Sequence, residues 1–594
     1  MRFVLAIVSF VVAALLIGFG VAQRTVLAGP ETFTATAELG AEAPLAVIDG
    51  AALNSHTGRQ ALSVTGEGTV FAAYGRTSDV EAWVGDAAHY EITADPDTGE
   101  FVSELVEGAE TTVPNPFGSD LWLADYQAER VVNFAVNVPD DVSVIVASDG
   151  TAPVPSNLSV TWPVDNSQPW SGPLIIGGAL MALLGLAFLV WAILHLRRSR
   201  GPRRSQPKQP RMPKPPRQRS IKPKSNGEAP TNARGRRASR PMIAVVPLVA
   251  GALVLSGCSA GAWPEFLGGS TPVAEPSAES TAPADEDLPP TAVTEAQAKR
   301  IVSDVGVTVA DADANLSADV AGTRLAGPAL ELRAANYKAR AVDGTLPAVS
   351  PAVADYPLQL TLPQQTDTWP RTVFAVTQAA DANPDDDLVP SPVGMVLIQA
   401  DPRSQYKAHY VVTLTQTVPE VAPTSIGAAR LPIDSKLLSS APSEVGPAYA
   451  DVLLNGDQSA SFGLFDTEND ALLGQVGKAY KDAKKAAVPA TAALTFTNAA
   501  GTGETVVMAT NDLGALVAVN INEVEEIKPT QAGAAVDSAG AVRALSGKPQ
   551  STKGFTATYA YQLLFHVPPV SQQGEQQIAL LGYSEGLISA SEVP

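Results

Sequence analysis

Three apolar segments interrupt the chain, and they differ in length and in the polar residues around them. The first runs from Phe3 to Ala22 with Ser9 as its only clearly polar residue, and the second runs from Pro173 to Leu196. At ~1.5 Å rise per residue, either one is long enough as a helix to cross the ~30 Å hydrocarbon layer of a bilayer. The third, from Met242 to Gly257, would be only ~24 Å long, which is short for a span.

The first segment has two interpretations. Its length exceeds the usual apolar region of a secretory signal, which favours a retained transmembrane anchor. Val21 and Ala22 are also an acceptable cleavage context, so a removed signal peptide is the alternative.

The second segment is followed by a stretch that fixes its orientation. The whole chain has a net charge of −21. Nevertheless, 16 of its 40 Lys and Arg residues lie between Arg197 and Arg240, where Glu228 is the only acid. Short loops dense in Lys and Arg remain in the cytoplasm, so residues 25–170 are predicted to lie outside the cell. The loop is rich in proline and lacks the aromatic residues of nucleic-acid interfaces. We therefore expect the loop to be disordered and to lie against anionic lipid headgroups. No nucleic-acid partner is expected.

The third segment ends in Leu255-Ser256-Gly257-Cys258 after four arginines. These four residues resemble the lipobox of bacterial lipoproteins. The resemblance implies that Cys258, the only cysteine, carries a lipid and becomes the N-terminus of a mature C-terminal part. Lipoboxes stand near the start of a preprotein, so an internal one implies either two fused genes or an uncut third span. A membrane helix that contains these residues by chance is the alternative.

Residues 31–165 show short runs of β-forming residues about ten positions apart, separated by Gly, Asp and Pro, which is typical of a sandwich or barrel. Trp83, Trp122 and Trp162 are expected in its core. The predicted strands are 33–39, 61–65, 69–74, 80–84, 89–93, 101–106, 131–138, 142–147 and 158–162.

The C-terminal half shows two successive patterns of helices followed by strands. Thr294 to Gln297 is a capping box that opens the first helix, and Pro328 suits the start of another. Two long strands carry alternating apolar residues, Tyr406 to Leu414 and Phe555 to Val567, with His409 and His566 on the opposite, wetter side. This order resembles cystatin-like or NTF2-like α+β rolls, and the resemblance concerns architecture alone.

No residue pattern in the chain predicts a catalytic centre. The five histidines, at positions 56, 89, 195, 409 and 566, lack metal-ligand spacing, and no cofactor or metal is predicted. The S-x-x-K match at Ser404 lacks its partner motifs. The Asp-x-Asp pairs, including Asp311 with Asp313, are expected to be acidic turns, with a surface Ca²⁺ at Asp385 to Asp387 as the alternative for one of them. The lysines at 478, 481, 484 and 485 are expected on a solvated helix face, or else in contact with an anionic wall polymer or a lipid surface.

These patterns predict a multidomain chain. In order, it comprises a transmembrane anchor or signal (1–24), an extracytoplasmic β domain (25–170), a transmembrane helix (171–196), a basic cytoplasmic loop (197–241), a third apolar segment with the lipobox (242–258), a disordered tether (259–292) and two α+β units (293–425 and 426–594).

The whole pattern resembles two-part envelope proteins of high-GC Gram-positive bacteria. Our leading hypothesis is a non-enzymatic protein of the cytoplasmic membrane whose folded domains bind or scaffold on the extracellular side. The expected partners are the membrane, another envelope or membrane protein, or an anionic wall polymer. The alternatives are an enzyme or accessory factor of envelope glycan synthesis and a subunit of a membrane complex. A carboxylate cluster that holds a metal in a deep pocket would favour the enzyme, and a groove lined by Tyr and Leu would favour binding.

Overall fold

The computed structural model describes residues 2–164, 169–199, 291–353, 357–362, 366–378, 391–415, 417–422 and 427–594. The chain divides into two compact units, Met1–Phe33 with Pro163–Ala278 and Thr34–Trp162 with Glu279–Pro594. Cys258, the rest of the third apolar segment, nearly all of the basic loop and tether, and Asp385 to Asp387 lie outside the described residues.

The described elements are numbered in chain order. The helices are α1 (Arg2–Thr25), α2 (Gly50–Leu53), α3 (Thr77–Val84), α4 (Ser171–Ser199), α5 (Glu295–Asn315), α6 (Ala318–Arg324), α7 (Gly327–Val342), α8 (Pro442–Asn455), α9 (Ala471–Val476), α10 (Lys478–Ala487) and α11 (Gly540–Ser546). The strands are β1 (Thr32–Glu38), β2 (Leu45–Ile48), β3 (Gln60–Arg76), β4 (His89–Ala94), β5 (Phe101–Val106), β6 (Ala124–Val136), β7 (Val142–Ala147), β8 (Asn157–Pro163), β9 (Pro357–Thr361), β10 (Arg371–Thr377), β11 (Val393–Gln399), β12 (Lys407–Leu414), β13 (Ala492–Ala500), β14 (Val506–Ala509), β15 (Ala515–Pro529), β16 (Val536–Asp537), β17 (Gln550–Ser551), β18 (Phe555–Val567) and β19 (Ala579–Glu592).

The first unit contains α1 and α4, which pack antiparallel through small residues. A Cβ atom added at Gly178 would lie 2.6 Å from the side chain of Ile17, and one added at Gly185 would lie 3.2 Å from Ser9. A later residue of α4 thus meets an earlier residue of α1. Both helices are long and apolar enough to cross a membrane. Small residues at such a contact let two helix backbones approach closely.

The N-terminal part of the second unit is an all-β, nearly closed sheet, as the strand pattern predicted. Its strand order is β1-β8-β3-β7-β2-β4-β5, and β6 also pairs with β3. The long strand β3 organises it, because it forms antiparallel ladders with β6, β7 and β8. Trp83, Trp122 and Trp162 are all buried, which confirms that they belong to the core.

One predicted strand of this β domain is wrong. Residues 80–84 belong to helix α3, which runs Thr77–Val84. Val80, Trp83 and Val84 are all buried, and a spacing of three and four residues puts them on one face of a helix. The helix packs this face on the sheet, so tertiary packing overrides the β preference of the local sequence.

Strands of the C-terminal half form one sheet with the order β13-β15-β18-β19-β12-β11-β10-β9, and β14 pairs with β15. Helices precede strands in both parts, α5 to α7 before β9 to β12 and α8 to α10 before β13 to β19. The two parts join where β12 pairs with β19 at Thr413 with Tyr583 and Leu414 with Gly582. We call this short ladder the seam.

The sheet separates three hydrophobic clusters. Alternating residues of β10 point to opposite faces, since Val373 and Ala375 belong to the cluster beneath α5 to α7 whereas Phe374 and Val376 belong to another. A third cluster lies beneath α8 and α9. The helical face therefore has a separate core in each part, and the opposite face has a cluster that draws residues from both parts.

The alternation predicted for the two long strands holds in one and fails in the other. In β18, Tyr561, Leu563, Phe565 and Val567 share one core cluster. In β12 the register against β11 shifts between Ala408 and Tyr410, and these two residues lie in different clusters. The bulge moves the following residues to the other face of the sheet.

Candidate binding groove

A groove of about 530 Å³ lies over the seam in the C-terminal half of the chain. Its lining residues come from α7, the following loop, the end of β12, α11 and β19. They are Leu332, Asn336, Ala339, Leu346 to Ser350, Thr413, Thr415, Ala541, Leu545 and Tyr583 to Leu587. We refer to this set as the groove.

Helix α7 forms one wall because its partner strand has glycine at the contact. A Cβ atom added at Gly586 would lie 2.4 Å from Leu332 Cδ1, so the small residue lets α7 approach β19 closely. The loop after α7 is tied back to it, since Asn336 Nδ2 donates to the carbonyl of Pro347 at 3.0 Å. The result is an apolar wall of leucine and alanine beside a short, anchored loop.

Side-chain hydrogen bonds hold the strands that line the groove, and two of them cross the seam. Ser584 donates its hydroxyl to the Val411 carbonyl at 2.7 Å, and the Gln562 side-chain oxygen accepts from Val411 N at 2.9 Å. Tyr583 accepts a hydrogen bond from Gln475 Nε2 at 2.7 Å. These bonds fix the strands that line the groove.

Glu585 is the one carboxylate among the lining residues. Loss of water contact raises the pKa of Glu585 above its ordinary value, and the nearby Glu523 carboxylate raises it further, while Lys481 acts in the opposite direction. An apolar cleft with one acidic group suits a ligand that combines an apolar body with a cationic or hydrogen-bond-donating group.

A buried ion pair lies close to this carboxylate. Lys481 Nζ is 2.6 Å from Glu523 Oε2, and the two side chains are only 1% and 4% exposed. Burial lowers the pKa of Lys481, and the Glu523 carboxylate opposes that shift. The expectation that all four lysines of this helix are solvated is therefore wrong at Lys481. Its helix is amphipathic, and position 481 falls on the side that faces the sheet.

The other three lysines have acidic partners within the domain. Lys478 and Lys485 approach Asp482, and Lys484 lies 2.6 Å from Glu525. The surface charge of this helix is thus partly compensated.

The structure disperses the remaining residues considered for chemistry. Ser404 bonds to Asp401, whereas Lys407 donates to the Gly322 carbonyl at 2.6 Å. Asp313 accepts from the Tyr337 hydroxyl at 2.5 Å, so it serves the packing of its own domain. Over the described part of the chain, no group of three or more His, Cys, Asp or Glu side chains is placed to hold a metal ion.

The two histidines predicted on the wetter side of their strands differ from that expectation. His566 is buried, and its Nε2 lies 2.9 Å from Asp512 Oδ2. Burial lowers the pKa of His566, opposed by Asp512. His409 is half-buried beside Gly327, and burial lowers its pKa as well. Both rings thus contribute to packing.

Sequence reasoning missed the groove because its residues come from five separate stretches of the chain. Helix α11 was not predicted at all. Its weak signal is the pair of apolar residues Ala541 and Leu545, four positions apart and therefore on one helical face.

Comparison with known proteins places the C-terminal half in one family. The model of the domain of unknown function DUF8094 matches residues 289–592, which is more than half of the chain and includes every residue of the groove. No curated protein and no solved structure matches the chain. The chain belongs to the DUF8094 family.

Proposed function

We propose that this protein is a non-enzymatic binding protein of the cell envelope, and that the groove in its DUF8094 domain is the binding site. The observation that carries the proposal is the lining of the groove, which combines leucines and Tyr583 with a single acid, Glu585. Its volume falls within the ~300–1,000 Å³ that small-molecule sites usually occupy. The ligand class that fits is an apolar molecule with a cationic or hydrogen-bond-donating end.

The membrane placement is part of the same proposal. The antiparallel packing of α1 on α4 supports α1 as a retained anchor, because its removal would expose the glycine face of α4. The arginines after α4 favour the cytoplasm, which puts the β domain outside. Lipidation of Cys258 would add a second attachment, since two acyl chains hold a protein stably at a bilayer.

The architecture of the DUF8094 domain is compatible with two roll-like units that share one sheet. Helices precede strands in each part, and the seam joins the two. Each part has its own core beneath its helices. The resemblance to cystatin-like or NTF2-like rolls is thus a proposal about architecture.

The alternative in envelope glycan synthesis gains no support from the groove. A cluster of carboxylates that holds a metal would favour that alternative, and the described lining of the groove offers Glu585 as its one carboxylate. Assembly with another membrane protein or an anionic wall polymer is a separate proposal, for which the partly exposed Lys478, Lys484 and Lys485 of α10 are the relevant surface.

The proposal can be tested with photoreactive probes on the full chain in lipid nanodiscs. A long-chain alkylamine that carries a diazirine is compared with the corresponding fatty acid, and labelled peptides are identified by mass. We expect the amine to label peptides containing residues 332–350 and 583–587. The Ala348→Trp substitution should fill the groove and abolish this labelling, whereas Ala532→Trp, at another exposed alanine, should not.

The role of the acid is tested separately with Glu585→Gln. This variant should bind both probes equally, because it removes the negative charge that favours the amine. Labelling that spreads over the domain, or that Ala348→Trp leaves unchanged, would show that the groove is not the site.

A further inference from the structure

The β domain (residues 34–162) and the DUF8094 domain contact each other through buried charges. Asp120 Oδ2 of the β domain lies 2.6 Å from Arg324 Nη1 of the DUF8094 domain, and the side chains are 1% and 7% exposed. The same carboxylate oxygen accepts a hydrogen bond from Tyr406 N at 2.7 Å. Both partners of this carboxylate lie in the other domain, so the side chain is satisfied only when the domains are together.

A second buried pair reinforces the contact. Arg371 Nη2 of the DUF8094 domain lies 2.7 Å from Asp79 Oδ1, which also pairs with Arg76 of its own domain. The Arg371 guanidinium stacks on Trp369 with 3.9 Å between its Cζ and the ring centroid. Trp369 in turn packs against the core cluster that contains Trp83. An apolar side chain of one domain thus completes the core of the other.

Backbone carbonyls of the β domain provide further specific contacts. Gln297 Nε2 donates to the Leu121 carbonyl at 2.8 Å, and Arg300 Nη2 donates to the Trp122 carbonyl at 2.6 Å. At the rim, Arg403 donates to the Trp83 carbonyl at 2.8 Å and pairs with Glu110 at 2.6 Å. A desolvated centre with a polar rim is the arrangement of a stable protein interface.

We propose that these two domains form one folded body on a single side of the membrane, held by this interface whether or not the chain between them is intact. The inference does not depend on a ligand in the groove. Helix α4 follows the β domain and is long enough to cross the bilayer. The chain must therefore cross again before Thr291, and the apolar stretch 242–257, although short for a span, is the segment whose composition suits that crossing. Cleavage before Cys258 would then leave a two-chain complex and no released C-terminal fragment.

The first experiment measures sidedness in intact cells. Cysteine is introduced one position at a time at Ser103 of the β domain, at Thr552 of the DUF8094 domain, both exposed, and at Ser220 of the basic loop. A membrane-impermeant maleimide is applied, and labelled peptides are identified by mass so that Cys258 is scored separately. We expect labelling at 103 and 552 and none at 220. Labelling at only one of positions 103 and 552 would overturn the proposal.

The second experiment measures whether the interface holds the pieces together. A specific protease site is inserted in the loop 200–241 of the full chain, the detergent-solubilised protein is cut, and the N-terminal piece is captured by an affinity tag. We expect the C-terminal piece to remain bound in the parent and in the Glu104→Ala control, whose position is exposed on β5. Asp120→Ala should reduce retention at least tenfold.

A rim variant keeps the test decisive if Asp120→Ala is poorly produced. Arg403→Ala removes the contacts to Trp83, Val84 and Glu110 from a partly exposed position, and we expect it to lower retention several-fold. The proposal would be overturned if the cut parent, whose interface is unaltered, lost its C-terminal piece. Full retention of that piece in both variants would overturn it as well.

Discussion

Replacing Glu523 with Gln should destabilise the second part of the DUF8094 sheet, because it leaves the Lys481 ammonium buried without its counter-ion. The pair is 2.6 Å apart and almost fully desolvated. Removing one member of a buried pair costs about 3–5 kcal/mol. Lys481 keeps one hydrogen bond, to the Val476 carbonyl, so we expect a loss near the lower end, about 3 kcal/mol. That corresponds to roughly a hundred-fold change in the equilibrium of local opening.

Hydrogen–deuterium exchange on the full chain measures this effect where it occurs. Peptides from Lys478–Ala487 and Ala515–Pro529 should exchange about a hundred-fold faster in Glu523→Gln than in the parent. Lys485→Ala is the matched control on the same helix. Lys485 lies 3.9 Å from Asp482 and both side chains are exposed, so this substitution should change the exchange rate very little.

A double variant separates the charge from the packing. Lys481→Met combined with Glu523→Met removes both ions and keeps similar volume, so most of the lost stability should return. The reasoning is refuted if Glu523→Gln exchanges like the parent, or if the double variant is as unstable as the single one.

Three further outcomes follow from other contacts. Burial lowers the pKa of His566 below its ordinary value of 6.5. Its contribution to stability is therefore complete above pH 6.5 and is lost as the pH falls through the pKa of the folded state. The thermal unfolding temperature should fall as the pH is lowered from 8 to 5, and His566→Gln should reduce this dependence on pH. Gly178→Leu should separate α1 from α4 and lower cysteine cross-linking between them, whereas Gly177→Leu, which meets nothing within 4 Å, should not. Thr294→Ala removes a capping box and should destabilise the start of α5 by about 1 kcal/mol, measured by faster amide exchange in its first turns.

The sequence predicted correctly those elements that depend on neighbouring residues in the chain. Strand β18 begins and ends at the predicted residues, Phe555 and Val567, because its apolar residues alternate without interruption and one face meets a core. The capping box at Thr294 likewise forms as expected, since its hydrogen bonds join residues three positions apart.

Long-range pairing decided the features that the sequence did not reveal. The bulge in β12 depends on its register with β11, and nothing in the alternation of Tyr406 to Leu414 encodes it. Lys481 is surrounded by other lysines in the sequence, and its burial depends on Glu523, which lies on a different element. The groove and the interdomain contacts arise in the same way, from residues more than a hundred positions apart.

The brevity of the seam gives the DUF8094 domain a potential axis of rotation. Only the Thr413 and Leu414 positions pair with β19 in the ladder. Thr415 N adds one backbone hydrogen bond to the Leu581 carbonyl at 2.8 Å, and side chains such as Ser584 supply further bonds. A Cβ atom at Gly582 would lie 2.6 Å from the Thr413 carbonyl, so the close approach of the strands at this position requires glycine. Thr413 and Tyr583 belong to both the seam and the groove. A rotation of one part against the other would therefore widen or narrow the groove. A bound ligand of fixed size would then set the angle between the two parts.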